Sequence, residues 1–189
     1  MSKLTEATPP ERHRHVAAMF ADLIEGTTDW AAPSPVKEWT AGDIVDHVTT
    51  WPREMLGAQG VQLPEPTGDR AETFRVQTDA VQQLLEQPEA AGHLIDLGPM
   101  GQAPLAAVID GFYSSDLFMH AWDLGKATGQ SVELDEDSAT AMHAGLSAMG
   151  PGLQASGQFG EPVPVAEDAH PVDRLMGLIG RDPGWQPQA

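Results

Sequence analysis

The sequence predicts an all-α fold, a four-helix bundle with additional C-terminal helices and a short extended segment. Apolar residues recur at helical spacing in four long segments, and each of these segments begins at a recognisable helix start. The chain has 189 residues, of which 41% are hydrophobic and 20% charged, values typical of one globular domain. We therefore expect a single domain over 1–189, with the bundle at about 8–129 and the C-terminal helices and wrap at about 130–189.

The first two helices are predicted from capping sequences. Thr8 is followed by two prolines and Glu11, a capping box that begins a helix running to about Gly26. Thr40, with Asp43 three positions later, begins the second helix in the same way, and Pro52 is expected to kink it. The residues expected to face the core are Val16, Met19, Phe20 and Leu23 in the first helix, and Ile44, Val48, Trp51 and Met55 in the second.

The third and fourth helices follow from similar signals. Asp69 caps a third helix that ends near Pro88, and an irregular or extended piece is expected from 93 to 101. The fourth helix begins at Pro104 and ends before Gly129. The apolar residues expected to face the core are Phe74, Val81, Leu84 and Leu85 in the third helix, and Leu105, Ile109 and Phe112 in the fourth.

The C-terminal part carries weaker patterns. A fifth helix is predicted from about 135 to 149, with four residues on its inward side: Ala139, Met142, Leu146 and Met149. An extended segment is expected at 162–165, and a last short helix begins at Pro171 and is capped by Gly180.

Charge and composition exclude several classes of partner. The formal net charge of −18 argues against nucleic acid and against an anionic membrane surface, both of which attract clustered Lys and Arg. Because the chain has no cysteine, a metal would be bound by His, Asp or Glu, and a reactive thiol would come from outside. No apolar signal core or membrane-length segment is evident, so a cytoplasmic protein is expected.

Polar residues interrupt the apolar side of the fourth helix. Asp116 and His120 lie one turn apart, and Asp123 lies close below them on the same arc. A carboxylate and an imidazole in a core need a partner that offsets their desolvation, and a metal ion suits both. His47, which flanks the inward side of the second helix, is the best candidate for a third ligand.

Less specific interpretations remain open for each of these residues. Asp116 and His120 could form a plain ion pair, and His47 could be an ordinary core or boundary histidine. Asp123 is expected to orient an imidazole or to pair with an arginine rather than to bind metal itself. Trp51 and His143 are pocket candidates and His13 is the reserve ligand. The remaining histidines are expected to be exposed or in turns: His15, His93 and His170.

These segments also resemble a known family. The stretch from Pro33 to Val48, with its Trp39-Thr40-Ala41-Gly42-Asp43 helix start, resembles the second helix of the DinB-like metal-binding superfamily. The His-Ala-Trp-Asp-Leu core of 116–129 and the C-terminal segments 159–165 and 175–185 are similar to its actinobacterial branch. That branch is related to the mycothiol-dependent maleylpyruvate isomerase N-terminal domain.

The resemblance implies a divalent metal, zinc or nickel, in the core of the bundle. In the isomerase-like members the ligands are a histidine on the second helix and a Glu-x-x-x-His pair on the fourth, which fall here on His47, Asp116 and His120. Aspartate replaces glutamate at 116, so the carboxylate is one methylene shorter than the family pattern. The resemblance also implies a low-molecular-weight thiol as cosubstrate.

Three hypotheses follow, and in the third the protein is an interaction module in which Asp116 and His120 form a plain ion pair. The first is a metal-dependent enzyme acting on small molecules, a thiol transferase or thiol-dependent isomerase whose metal lowers the pKa of a bound water or external thiol. The second is a non-catalytic metal- or small-ligand-binding protein. A monomer or a homodimer fits either of the first two hypotheses.

Overall fold

The computed structural model describes residues 3–187 and shows the predicted all-α fold. Three long helices come first, and a fourth long rod consists of two α-helices joined by a π-helical segment. Their bounds are α1 (Pro9–Gly26), α2 (Ala41–Ala58), α3 (Arg70–Glu86), the short α4 (Pro88–Ala91), α5 (Leu105–Val108), the π segment Ile109–Ser114 and α6 (Ser115–Thr128). The C-terminal part contains α7 (Glu136–Ala148), α8 (Gly152–Ala155) and α9 (Pro171–Leu178).

The predicted helix starts are seen as hydrogen bonds. Thr40 Oγ1 accepts from the Asp43 backbone N–H at 3.2 Å, and Asp43 Oδ2 accepts from the Thr40 N–H at 2.8 Å. Asp69 Oδ1 accepts from the Glu72 N–H at 3.0 Å. At its C-terminal end, the fourth rod is capped by Gly129, which has a φ of 69° and ends α6.

The bundle is arranged so that α1 and α2 each contact both α3 and α6. The inward residues predicted for these helices are buried or partly buried, among them Phe20, Ile44 and Phe74. Because α2 packs directly on α6, side chains on their facing surfaces can meet inside the bundle. The extended piece predicted near 93–101 is an antiparallel hairpin of β1 (Leu94–Asp96) and β2 (Gln102–Pro104).

The π-helical segment corrects one prediction on the fourth rod. Phe112, expected to face the core, is 36% exposed, and its neighbour Tyr113 is buried in its place. A π turn is wider than an α turn and contains an extra residue, so it rotates the side chains that follow. Uniform α-helical periodicity therefore places Phe112 on the wrong face.

A second correction concerns the end of the fifth helix. Met149 was expected to face inward but is 48% exposed, whereas Ala139 is fully buried. The helix ends at Ala148 and packs mainly against α9, so its last turn extends beyond the surface that covers it.

None of the helices described is both long and apolar enough to span a membrane.

Residues 160–165, which include the segment 162–165 predicted to be extended, form neither helix nor strand and run along the end of α9. The Gly160 N–H donates to the Ile179 carbonyl at 3.2 Å, and the Val163 N–H donates to the Gly177 carbonyl at 2.8 Å. We call residues 160–165 the strap.

Candidate metal site

The structure brings His47, Asp116 and His120 together where α2 faces α6. The Nε2 atom of His47 lies 3.4 Å from Asp116 Oδ2, and the Nε2 atom of His120 lies 3.4 Å from Asp116 Oδ1. One donor atom from each residue can be chosen so that all three lie within 4.8 Å of one another. The three donor atoms are therefore close enough together that they could hold one metal ion.

This donor set fits a divalent metal. Two imidazoles and one carboxylate are borderline-hard ligands that zinc, nickel and similar ions accept, and they leave at least one position for another ligand. Metal–ligand bonds of about 2.0–2.1 Å in a tetrahedron separate the ligands by about 3.3 Å, close to the 3.4 Å seen here between carboxylate and imidazole atoms. The shorter aspartate at 116 still reaches both imidazoles.

Access to the site comes from the side of His47. The His47 side chain is 32% exposed and that of Asp116 is 19% exposed, whereas that of His120 is only 6% exposed. Two indoles border this opening. The Trp39 ring centroid lies 4.9 Å from that of His47 and 5.8 Å from that of His120, and Trp51 lies 6.3 Å from His47.

Trp51 also orients the carboxylate. Its indole Nε1–H donates to Asp116 Oδ2 at 2.9 Å, and a donor on this oxygen restricts rotation of the carboxylate. Trp51, predicted as a pocket residue, therefore lies beside the candidate ligands and contacts one of them.

Asp123 contacts both an imidazole and an arginine. Its Oδ2 lies 2.9 Å from His120 Nδ1, and its two oxygens accept from Arg181 Nε at 3.2 Å and Nη2 at 3.1 Å. A carboxylate only accepts hydrogen bonds, so His120 carries a proton on Nδ1 and turns Nε2 toward Asp116. A metal at Nε2 would require a neutral imidazole that keeps this Nδ1 proton.

The charges of these buried residues depend on one another. Burial alone would raise the pKa of Asp116, but the neighbouring His120 and His47 hold it below its usual value. Burial would also raise the pKa of Asp123, which His120 and Arg181 lower instead. For His120, burial acts to lower the pKa, and the two carboxylates outweigh it and raise the pKa. Ionised carboxylates are therefore favoured at both positions.

The other histidines lie elsewhere. His13 is buried, and its Nδ1 lies 2.7 Å from Gln82 Oε1 on α3. His143 lies on α7, which packs mainly against α9. Its place at the pocket mouth therefore stays a prediction. The three histidines expected to be exposed are exposed: His15, His93 and His170.

Arg181 is a residue of this site that the sequence did not predict. An arginine partner for Asp123 was anticipated, but none was named, because 58 residues separate the two. The available signal was one arginine directly after Gly180, at the end of a short apolar helix.

Comparison with known proteins supports the same family. Residues 13–125 match the family model described as the mycothiol maleylpyruvate isomerase N-terminal domain. Two uncharacterized proteins of Mycobacterium tuberculosis, from strains CDC 1551 and H37Rv, are each 28% identical over 180 residues, covering 92% of this chain and 97% of the relative. No solved structure gives a significant match. Since the matched range covers more than half of the chain, the protein belongs to the mycothiol maleylpyruvate isomerase N-terminal domain family.

Proposed function

We propose that this protein binds a divalent metal, zinc or nickel, through His47, Asp116 and His120, and uses it as a small-molecule enzyme of the low-molecular-weight-thiol transferase or isomerase type. The observation that carries the proposal is the convergence of two imidazole Nε2 atoms on the two oxygens of one carboxylate, each at 3.4 Å. Family membership supports it independently.

In this proposal, residues around the metal would hold its ligands in place and admit the thiol. When bound, the metal supplies Lewis-acid chemistry and lowers the pKa of a thiol or water held beside it. Trp51 keeps the Asp116 carboxylate in place, and Asp123 keeps His120 in the required tautomer. Because the chain has no cysteine, the nucleophilic thiol would enter from solvent past His47, between the indoles of Trp39 and Trp51.

Metal content tests the first step. After equilibration with zinc and removal of excess ion, elemental analysis should find close to one zinc per wild-type chain and none in His120→Ala. His15→Ala is the matched control, because His15 is an exposed histidine of α1, and it should keep its zinc. Equal zinc in His120→Ala and wild type would refute the site.

Thiol binding tests the second step. A ligand that binds only the native protein raises its melting temperature. We expect mycothiol, the thiol named by the family, to stabilise zinc-loaded wild-type protein and to leave zinc-free protein and His120→Ala unchanged. A small-molecule substrate in the cytoplasm, without nucleic acid or membrane, completes the proposal.

A second candidate function is metal or small-ligand binding without catalysis. Two surface grooves, of about 540 and 420 Å³, lie at α1–α3 and beside α2, and neither is lined by the three candidate ligands. Enzyme sites usually lie in a concave pocket of roughly 300–1,000 Å³, and neither of these two grooves includes the candidate ligands. Stoichiometric zinc without any effect of mycothiol would favour this second function.

A further inference from the structure

The partner of Asp123 comes from the part of the chain beyond the family match. Arg181 follows α9, well past the matched range 13–125, and approaches Asp123 with two guanidinium nitrogens, at 3.1 and 3.2 Å. The Asp123 side chain is fully buried and that of Arg181 is 10% exposed. A bidentate arginine fixes the direction of a carboxylate as well as neutralising it.

Arg181 is itself held at several points. Its backbone N–H donates to the Met176 carbonyl at 2.9 Å, and its Nη1 donates to the Ile179 carbonyl at 3.0 Å. Two residues later, the Pro183 carbonyl accepts from Lys126 Nζ at 3.1 Å. The guanidinium is therefore presented to α6 from a backbone anchored on both sides.

The strap fixes that backbone from the outside. A Cβ on Gly177 would come within 2.3 Å of Val165 Cγ2, and a Cβ on Gly180 within 2.6 Å of Gly160 Cα. The end of α9 and the strap thus approach each other more closely than any residue with a side chain allows. Little room remains for Arg181 to move independently of the strap.

We infer that Arg181 is a positioning residue for the candidate metal site, acting through Asp123 on His120. Asp123 Oδ2 accepts from Arg181 Nη2 and also faces His120 Nδ1, so the same oxygen joins the C-terminal segment to the imidazole. The C-terminal segment is then part of the metal site, although none of its residues is a ligand. This inference rests on the proposed metal binding.

The alternative is that Arg181 only neutralises a buried carboxylate and so stabilises the fold. Arg12 offers a matched control for that role. Its Nε donates to Asp110 Oδ1 at 2.7 Å in a half-buried ion pair that also contacts the fourth rod, at the π segment. Arg181→Met and Arg12→Met should both lower the melting temperature, but only the first should affect the metal.

The experiment is a competition of full-length protein and a chelator for zinc, for wild type, Arg181→Met, Arg181→Lys and Arg12→Met. Loss of a partner that orients a ligand typically costs 10–100-fold in metal affinity. We expect a loss of that size in Arg181→Met, partial recovery in Arg181→Lys, and affinity within about twofold of wild type in Arg12→Met. Unchanged affinity in Arg181→Met would overturn the inference.

Two further measurements keep the result decisive. Nitrogen NMR of metal-free protein should show a slowly exchanging Nδ1–H on His120 in wild type and a fast-exchanging one in Arg181→Met. If wild type binds no zinc, the proposed function fails, and equal exchange in both proteins would separately overturn the positioning role. If Arg181→Met does not fold, Arg181→Lys, which keeps the charge and Asp123 but loses the two-point contact, should still bind zinc more weakly than wild type, and an unchanged affinity in that variant would overturn the inference.

Discussion

The contact between Gly180 and the strap gives the sharpest test of the C-terminal architecture. Gly180 has a φ of 86°, and a Cβ there would lie 2.6 Å from Gly160 Cα and 3.0 Å from the Glu161 carbonyl oxygen. Carbon atoms pack best at about 3.5–4.0 Å, so Gly180→Ala would force two stretches of backbone apart by about 1 Å.

The magnitude follows from two separate costs. A side chain in left-handed backbone costs roughly 1–2 kcal/mol, and overpacking a tight contact costs roughly 1–3 kcal/mol. We therefore expect Gly180→Ala to lose about 2–5 kcal/mol of unfolding free energy. Gly60 is the matched control, because its φ is 79° and a Cβ there meets nothing within 4 Å. Gly60→Ala should lose only the first cost, about 1–2 kcal/mol.

Urea unfolding of both variants, followed by circular dichroism, measures the difference. The midpoint should fall further in Gly180→Ala than in Gly60→Ala, with the slope against urea unchanged. Equal losses in the two variants would refute the close approach of the strap to α9, and with it the rigid support of Arg181.

Three other predictions concern single residues of the bundle. Burial lowers the pKa of His13; the hydrogen bond to Gln82 opposes this shift and the charge of Arg14 adds to it. Near pH 6 the unfolded chain therefore binds a proton at this histidine that the folded protein does not bind. The free energy of unfolding should therefore fall as the pH decreases below about 6.5, by up to about 1.4 kcal/mol per pH unit. Urea unfolding at pH 7 and at pH 5 measures this fall. It should be smaller in His13→Gln than in wild type, and equal to wild type in His15→Gln. Thr40→Ala removes the cap of α2 and should cost about 1 kcal/mol in the same assay, and no loss would contradict the capping role. Trp51→Phe keeps the ring but loses the bond to Asp116, so chelator competition should show zinc affinity lowered by roughly tenfold; an affinity equal to wild type would show that Trp51 does not orient the carboxylate.

Local signals accounted for most of the helices. Caps at Thr40, Asp69 and Gly129 are short-range features, readable from neighbouring residues because the hydrogen bonds they make span only a few positions. The spacing of Asp116 and His120 places them on one helical face for the same reason. His47 could be named because its helix carries an inward stripe, but nothing local fixed the packing of α2 on α6.

Features that depend on the three-dimensional path of the chain were not readable. The π segment rotates Phe112 out of the core and Tyr113 into it, and no local pattern marks the extra residue. The choice of Arg181 for Asp123 joins residues 58 positions apart, so sequence spacing carries no information about it.

The helices, their caps and the residue types available to bind a metal could be predicted from the sequence, because they depend on interactions within a few turns of chain. The three-dimensional fold was needed to show that His47 lies beside Asp116 and His120, and that Arg181 reaches Asp123 from 58 residues away. These long-range contacts depend on how whole helices pack. Helix packing is stabilised by many weak contacts between distant segments, so it cannot be read from any short stretch of sequence.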